Sequence, residues 1–202
     1  MKNKQVLLTT AFALLVSVGH LEAARSNKEF TTSGTLAEHG LSGVNIFIGN
    51  VTNTWTFKDA DITAGAGNDA RVFIGANGGD PDGLTTLVLT APEGYTGTFD
   101  LMPAEDSNED EIVLGQSHSG NNYFGALTID GGVTLKAGKV RARKGPGTVN
   151  LSNGTLETNY GVAKTDQFID IDIILGGQGT LIVPVAVTNM AEYDTWAHEA
   201  PH

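Results

Sequence analysis

Apolar residues recur along this chain with a period of two, in short bursts. Val44, Ile46 and Ile48 alternate with Asn45, Phe47 and Gly49, and Ile169, Ile171 and Ile173 alternate with Asp170 and Asp172. Successive side chains of a strand point to opposite faces, so these segments predict strands with one buried face. Leu87, Val88 and Leu89 run without a polar break and predict a strand buried on both faces. Gly, Asn and Asp close nearly every segment, as turns require. A helical period shows only near the N-terminus and weakly over 190–199.

The stretch 125–161 sets the expected architecture. It divides into GALTID, GGVTLKAG, KVRARKG, PGTVNLSNG and TLETNYG, each a short alternating segment with Gly or Asn near its end. Val133, Leu135, Val140, Ala142, Val149 and Leu151 would point one way. Thr134, Lys136, Lys139, Arg141, Arg143, Thr148 and Asn150 would point the other. Three such strands make a repeat of roughly 22–27 residues, within the range of solenoids. An antiparallel β-sandwich with tight hairpins produces the same cadence. No two-residue Asn-Gly turn recurs in register, whereas Gly-Thr-Val/Leu pieces do, which favours the β-solenoid.

GALTIDGGVTLKAG, from Gly125, and GTVNLSNGTLETNYG, from Gly147, resemble the Gly-Thr-Leu-rich strands of autotransporter passengers. They also resemble the autotransporter-associated β-strand repeats of large secreted bacterial surface proteins. The resemblance covers about a fifth of the chain. It implies an all-β, right-handed parallel β-helix with a role at the cell surface, in adhesion or display. The tail AEYDTWAHEAPH, from Ala191, resembles the opening of a segment that often follows such repeats.

The first 23 residues have the three parts of an export signal. Lys2 and Lys4 precede an uncharged, mostly apolar run over 6–18, and small residues follow at Gly19 and at Ala23 and Ala24. That run is shorter than the roughly 20 residues a membrane-spanning helix needs. The expected organisation is a signal peptide over 1–23, a Gly-rich β domain over 24–189 and a tail over 190–202. The mature protein would be secreted or held at the cell surface, with no transmembrane segment. The chain has 12 Lys and Arg against 23 Asp and Glu, a net charge of −11. Loss of Lys2, Lys4 and Glu22 with the leader would make it one unit more acidic. Such a charge argues against nucleic acid as a partner. With no cysteine, the fold must rest on a packed core or on metal.

Three segments are candidates for binding chemistry. AGAGNDARVFIGANGGDPDG, from Ala64, resembles two calcium-binding nonapeptide repeats, and Asp69, Asp80 and Asp82 would be the calcium ligands. The spacing departs from that repeat, and ordinary Asp/Gly turns read equally from the same residues. The run EDSNEDE over 105–111 holds five carboxylates in seven residues. A cationic surface or calcium would suit it, as would plain solvation. Lys136, Lys139, Arg141, Arg143 and Lys144 are five of the chain's 12 basic residues. In a strand, Lys139, Arg141 and Arg143 share a face, and such a row suits sulfates, phosphates or uronic carboxylates of an anionic glycan. A solvated face that balances the acidic remainder, in part by pairing with the run over 105–111, is the alternative. An exposed Arg141 would tolerate replacement by Glu, whereas Val140→Asp would bury an unpaired charge.

Catalytic patterns are sparse. The chain has no Cys, no His-Glu-x-x-His and no Gly-x-Ser-x-Gly. An enzymatic reading takes the form of a calcium-assisted polysaccharide lyase, with Lys139 or Arg141 as base and Asp59, Asp61 or Asp69 on the metal. A carbohydrate-binding reading would line a cleft with Trp55, Phe57 and Tyr95. Calcium is the sole cofactor the motifs suggest. The expectation is therefore an exported surface or matrix protein that works by display or binding, with polysaccharide or a second copy of itself as partner. Stacking of copies end to end would make a fibre.

Overall fold

The structure, a computed structural model, describes residues 26–41, 45–48, 52–65, 70–75, 84–102, 110–115, 124–142, 147–158 and 171–182. The export signal over 1–23, the tail over 190–202, Ile169 and Asp170 lie outside them. Strands follow one another around three sheets. The first round is β1 (Lys28–Phe30), β2 (Gly34–Thr35) and β3 (Asn45–Ile48). The second is β4 (Thr52–Phe57), β5 (Ala60–Thr63) and β6 (Arg71–Ile74), and the third is β7 (Leu84–Thr90), β8 (Gly97–Asp100) and β9 (Glu111–Leu114). The fourth is β10 (Phe124–Ile129), β11 (Val133–Ala137) and β12 (Lys139–Ala142). β13 (Gly147–Leu151) and β14 (Thr155–Thr158) follow, then β15 (Ile171–Leu175) and β16 (Thr180–Ile182).

Each strand pairs with its counterparts one round before and one round after. Sheet A runs β1-β4-β7-β10-β13-β15, sheet B runs β2-β5-β8-β11-β14-β16, and sheet C runs β3-β6-β9-β12. Every pairing among the described residues is parallel, as in Leu89 with Ile129 and Ile129 with Leu151. This pairing overturns the antiparallel sandwich alternative. A tight hairpin reverses the chain between neighbouring strands, whereas here, in each of the first four rounds, the chain visits two other sheets before it returns. The fold is all-β, and no helix occurs among the described residues. None of those residues forms a helix long and apolar enough to cross a membrane.

One apolar core fills the space between the sheets. Trp55, Leu89, Ile129 and Leu151 stack in register on sheet A, all fully buried. Ile62, Phe99, Leu135 and Leu156 do the same on sheet B, and Val72, Ile112 and Val140 on sheet C. Aromatic rings concentrate in the early rounds. Phe30 lies 5.0 Å from Phe57, and Trp55 meets Phe99 edge to face at 5.5 Å. Each such pair contributes about 0.5–1.5 kcal/mol beyond simple burial. Gly97 stands where these rings need room, since a Cβ there would press on Phe57.

The alternation over 125–161 holds strand by strand. All six residues expected inward are fully buried, and the described residues expected outward are partly exposed. Val88 departs from expectation: it is partly exposed while Leu87 and Leu89 are fully buried. A sheet wrapped around one core has only one inner face, so an unbroken apolar triplet still sends its middle residue outward. The repeat length also departs from uniformity. The interval from Leu89 to Ile129 is nearly twice that from Ile129 to Leu151, and the extra chain enters and leaves sheet C.

Candidate functional site

Sheet C differs from the other two on its outer side. Period two turns Val72 and Ile74 of β6 and Ile112 and Leu114 of β9 into the core. Phe73 and Val113 therefore face away from it, yet they are only 6% and 0% exposed and form a second apolar cluster. Among the described residues, the outer face of sheet A has no such layer. Thr54, Thr56, Thr86, Val88, Thr90, Thr128, Thr148 and Asn150 point outward there and are partly exposed.

Four charged residues converge beside this second cluster. Parallel register places Glu111 of β9 opposite Arg71 of β6 on one side and Lys139 of β12 on the other. Arg141, two residues beyond Lys139, sits opposite Val113 on the same face. Its Nη2 donates to Glu111 Oε1 at 2.5 Å. Arg71 Nε lies 3.6 Å from the same oxygen, and Lys139 Nζ lies 3.4 Å from Oε2. The Glu111 side chain is 2% exposed, against 29% for Arg71, 23% for Lys139 and 17% for Arg141. A carboxylate this buried needs partners, because desolvation costs several kcal/mol. Glu111 Oε2 and Arg141 Nε are buried and make no hydrogen bond.

Asp110 aligns the three strands that carry the cluster. It is buried, and its Oδ1 accepts the Ala70 N–H at 2.8 Å, just before β6. Its carbonyl accepts from Gly138 at 2.7 Å and Lys139 at 3.3 Å, at the entry to β12. The Glu111 N–H donates to the Ala70 carbonyl at 3.1 Å. These bonds hold the starts of β6, β9 and β12 level, so Arg71, Glu111 and Lys139 share one row.

The expected basic row is thus divided. Lys139 and Arg141 face outward as predicted, but Arg141 is committed to a buried carboxylate, which overturns the expectation that Arg141→Glu would be tolerated. Lys136 lies on sheet B, opposite Asp100 and Glu157 in register, with its Nζ 3.8 Å from Glu157 Oε2. Arg143 and Lys144 lie outside the described residues, as do Asp69, Asp80 and Asp82. Among the described residues, no group of three or more His, Cys, Asp or Glu is placed to hold a metal.

The lyase arrangement is not brought together by the described residues. Asp59 occupies the turn between sheets A and B with φ 53°, its Oδ1 accepting the Thr96 N–H, and Asp61 faces outward on sheet B. Lys139 and Arg141 are on sheet C. The aromatic cleft is overturned as well, because Trp55 and Phe57 are fully buried in the core and only Tyr95 is exposed.

Glu111 closes the acidic run over 105–111, for which a cationic surface was one expected partner, whereas no expected site included Arg71. A signal for them exists: NIFIG, RVFIG and EIVLG begin at Asn45, Arg71 and Glu111. Aligning these three pieces reproduces the register of β3, β6 and β9. No family model matches this chain, and neither does any curated protein or solved structure.

Proposed function

We propose that this chain is a right-handed parallel β-helix, exported to the cell surface or extracellular matrix, that works by binding or display. The observation that carries this reading is the contrast between one continuous core and three dissimilar outer faces. Sheet A presents a largely uncharged outer surface rich in threonine. Sheet C gathers charge above a second apolar layer. A rigid body with one elaborated side suits recognition of a large partner, because its binding groups need little ordering on contact. The N-terminal pattern of Lys2, Lys4 and the apolar run supports export.

The reading predicts a short rod. Six strand layers at about 4.8 Å each give a body about 30 Å along its axis. Protein recovered outside the cytoplasm should lack about 19–24 N-terminal residues by intact mass. Labelled mature protein should bind producing cells or their matrix saturably. A full-length cytoplasmic form as the sole species, or no binding to either surface, would overturn the proposal. Electron micrographs showing filaments would instead select the self-assembling fibre.

A further inference from the structure

We infer that the outer face of sheet C binds an oxyanion, the sulfate or carboxylate groups of an acidic polysaccharide, through Lys139 and Arg141 with Arg71 beside them. This deepens the binding reading proposed above and rests on it. Lys139 and Arg141 share a single buried carboxylate, and Arg71 approaches the same group. The carboxylate is the shielded member and the cations are the partly exposed ones. Among the described residues, what the cluster turns toward solvent is therefore positive, in a protein whose net charge is −11.

The geometry suits an oxygen acceptor. Arg141 gives Nη2 to Glu111, and its side chain remains 17% exposed beside Lys139 at 23%. A planar guanidinium that reaches the surface matches the paired oxygens of sulfate or carboxylate, and an ammonium beside it adds a compact second charge. The net negative charge of the chain does not preclude contact. Charges beyond about 8 Å are largely screened at physiological ionic strength, so the local cluster decides recognition.

Glu111 provides the discriminating test. Replacing it by Gln removes the internal anion and keeps the shape. If the cluster is an anion site, Glu111→Gln should bind a sulfated polysaccharide about five- to tenfold more tightly than the parent. Sodium sulfate should restore its lost thermal stability better than sodium chloride at equal ionic strength. Lys139→Gln should weaken binding about fivefold and reduce its salt dependence. Lys136→Gln, on sheet B, should match the parent.

Binding to heparin and polygalacturonate but not to neutral dextran is the expected pattern. Thermal stabilisation by inorganic sulfate with no polysaccharide binding would keep the oxyanion site but overturn the polymer as its ligand. Unchanged affinity in Glu111→Gln together with no sulfate-specific recovery would overturn the inference. Cell-surface binding that survives in Lys139→Gln would leave the display function standing on another face.

Discussion

The Asp110 carboxylate accepts the Ala70 N–H at 2.8 Å, joining residues that lie one whole round apart. The bond is buried, and it fixes how far β9 slides along β6. Asp110→Ala would strand that N–H without an acceptor, a loss of about 1–3 kcal/mol. Asp110→Asn keeps an acceptor oxygen and should cost less. Urea denaturation of the three proteins should rank them in that order, with similar slopes.

Arg141→Glu should be strongly destabilising. It removes the short partner of Glu111 and sets a second carboxylate against it. Breaking a buried pair typically costs about 3–5 kcal/mol. Lys136→Gln, whose pair with Glu157 is more than a third exposed on both sides, should change stability by less than about 1 kcal/mol. Equal melting temperatures for the two variants would mean that Glu111 is held by other groups.

Val140→Asp should abolish cooperative folding of the sheet C region. Val140 is fully buried between Ile112 and the core, with no partner for a charge. A carboxylate there costs several kcal/mol even after it takes up a proton. Hydrogen exchange should show protection lost first across β9 and β12.

Gly125→Ala should also destabilise, by about 1–3 kcal/mol, through overpacking. A Cβ at Gly125 would meet Gly115 N at 2.6 Å and Leu114 Cα at 3.0 Å, both backbone atoms that do not yield cheaply. Thermal melting of this variant beside Ala126→Gly, on the outer side of the same strand, would check it. The outer change should have the smaller effect.

Acid should loosen the first round through Glu38. Thr35 N–H donates to Glu38 Oε2 at 2.7 Å, and Glu38 N–H donates to Thr35 Oγ1 at 3.3 Å, a reciprocal cap on the turn that covers Phe30. The backbone hydrogen bond from Thr35, then its hydroxyl, hold the Glu38 carboxyl below its ordinary value of 4.5. The folded state therefore binds the proton less readily than the unfolded one. The contribution is present above about pH 4.5 and is lost as pH falls through the lower folded value. Amide exchange at Thr35 should quicken over that interval in the parent and be fast and pH-flat, after correction for intrinsic rates, in Glu38→Ala.

Period two along 125–161 determined which residues of β10 to β14 face the core, because a strand has only two faces and water rejects one set of side chains. It placed Val140 and Ala142 inward and Lys139 and Arg141 outward without any knowledge of neighbours. The same local pattern misread Val88, since an apolar side chain on an outer face looks no different from a buried one. Tertiary structure alone decided that Glu111 stands between Arg71 and Lys139. Those three residues are far apart in the chain, and their meeting depends on loop lengths that differ from round to round. Pairing across rounds sets which charges share a row, and burial sets what each charge must do. Neither is a property of the segment that carries the residue, so Lys139 and Arg141 were legible as outward cations and the run 105–111 as a partner for them, while which carboxylate of that run holds them was not.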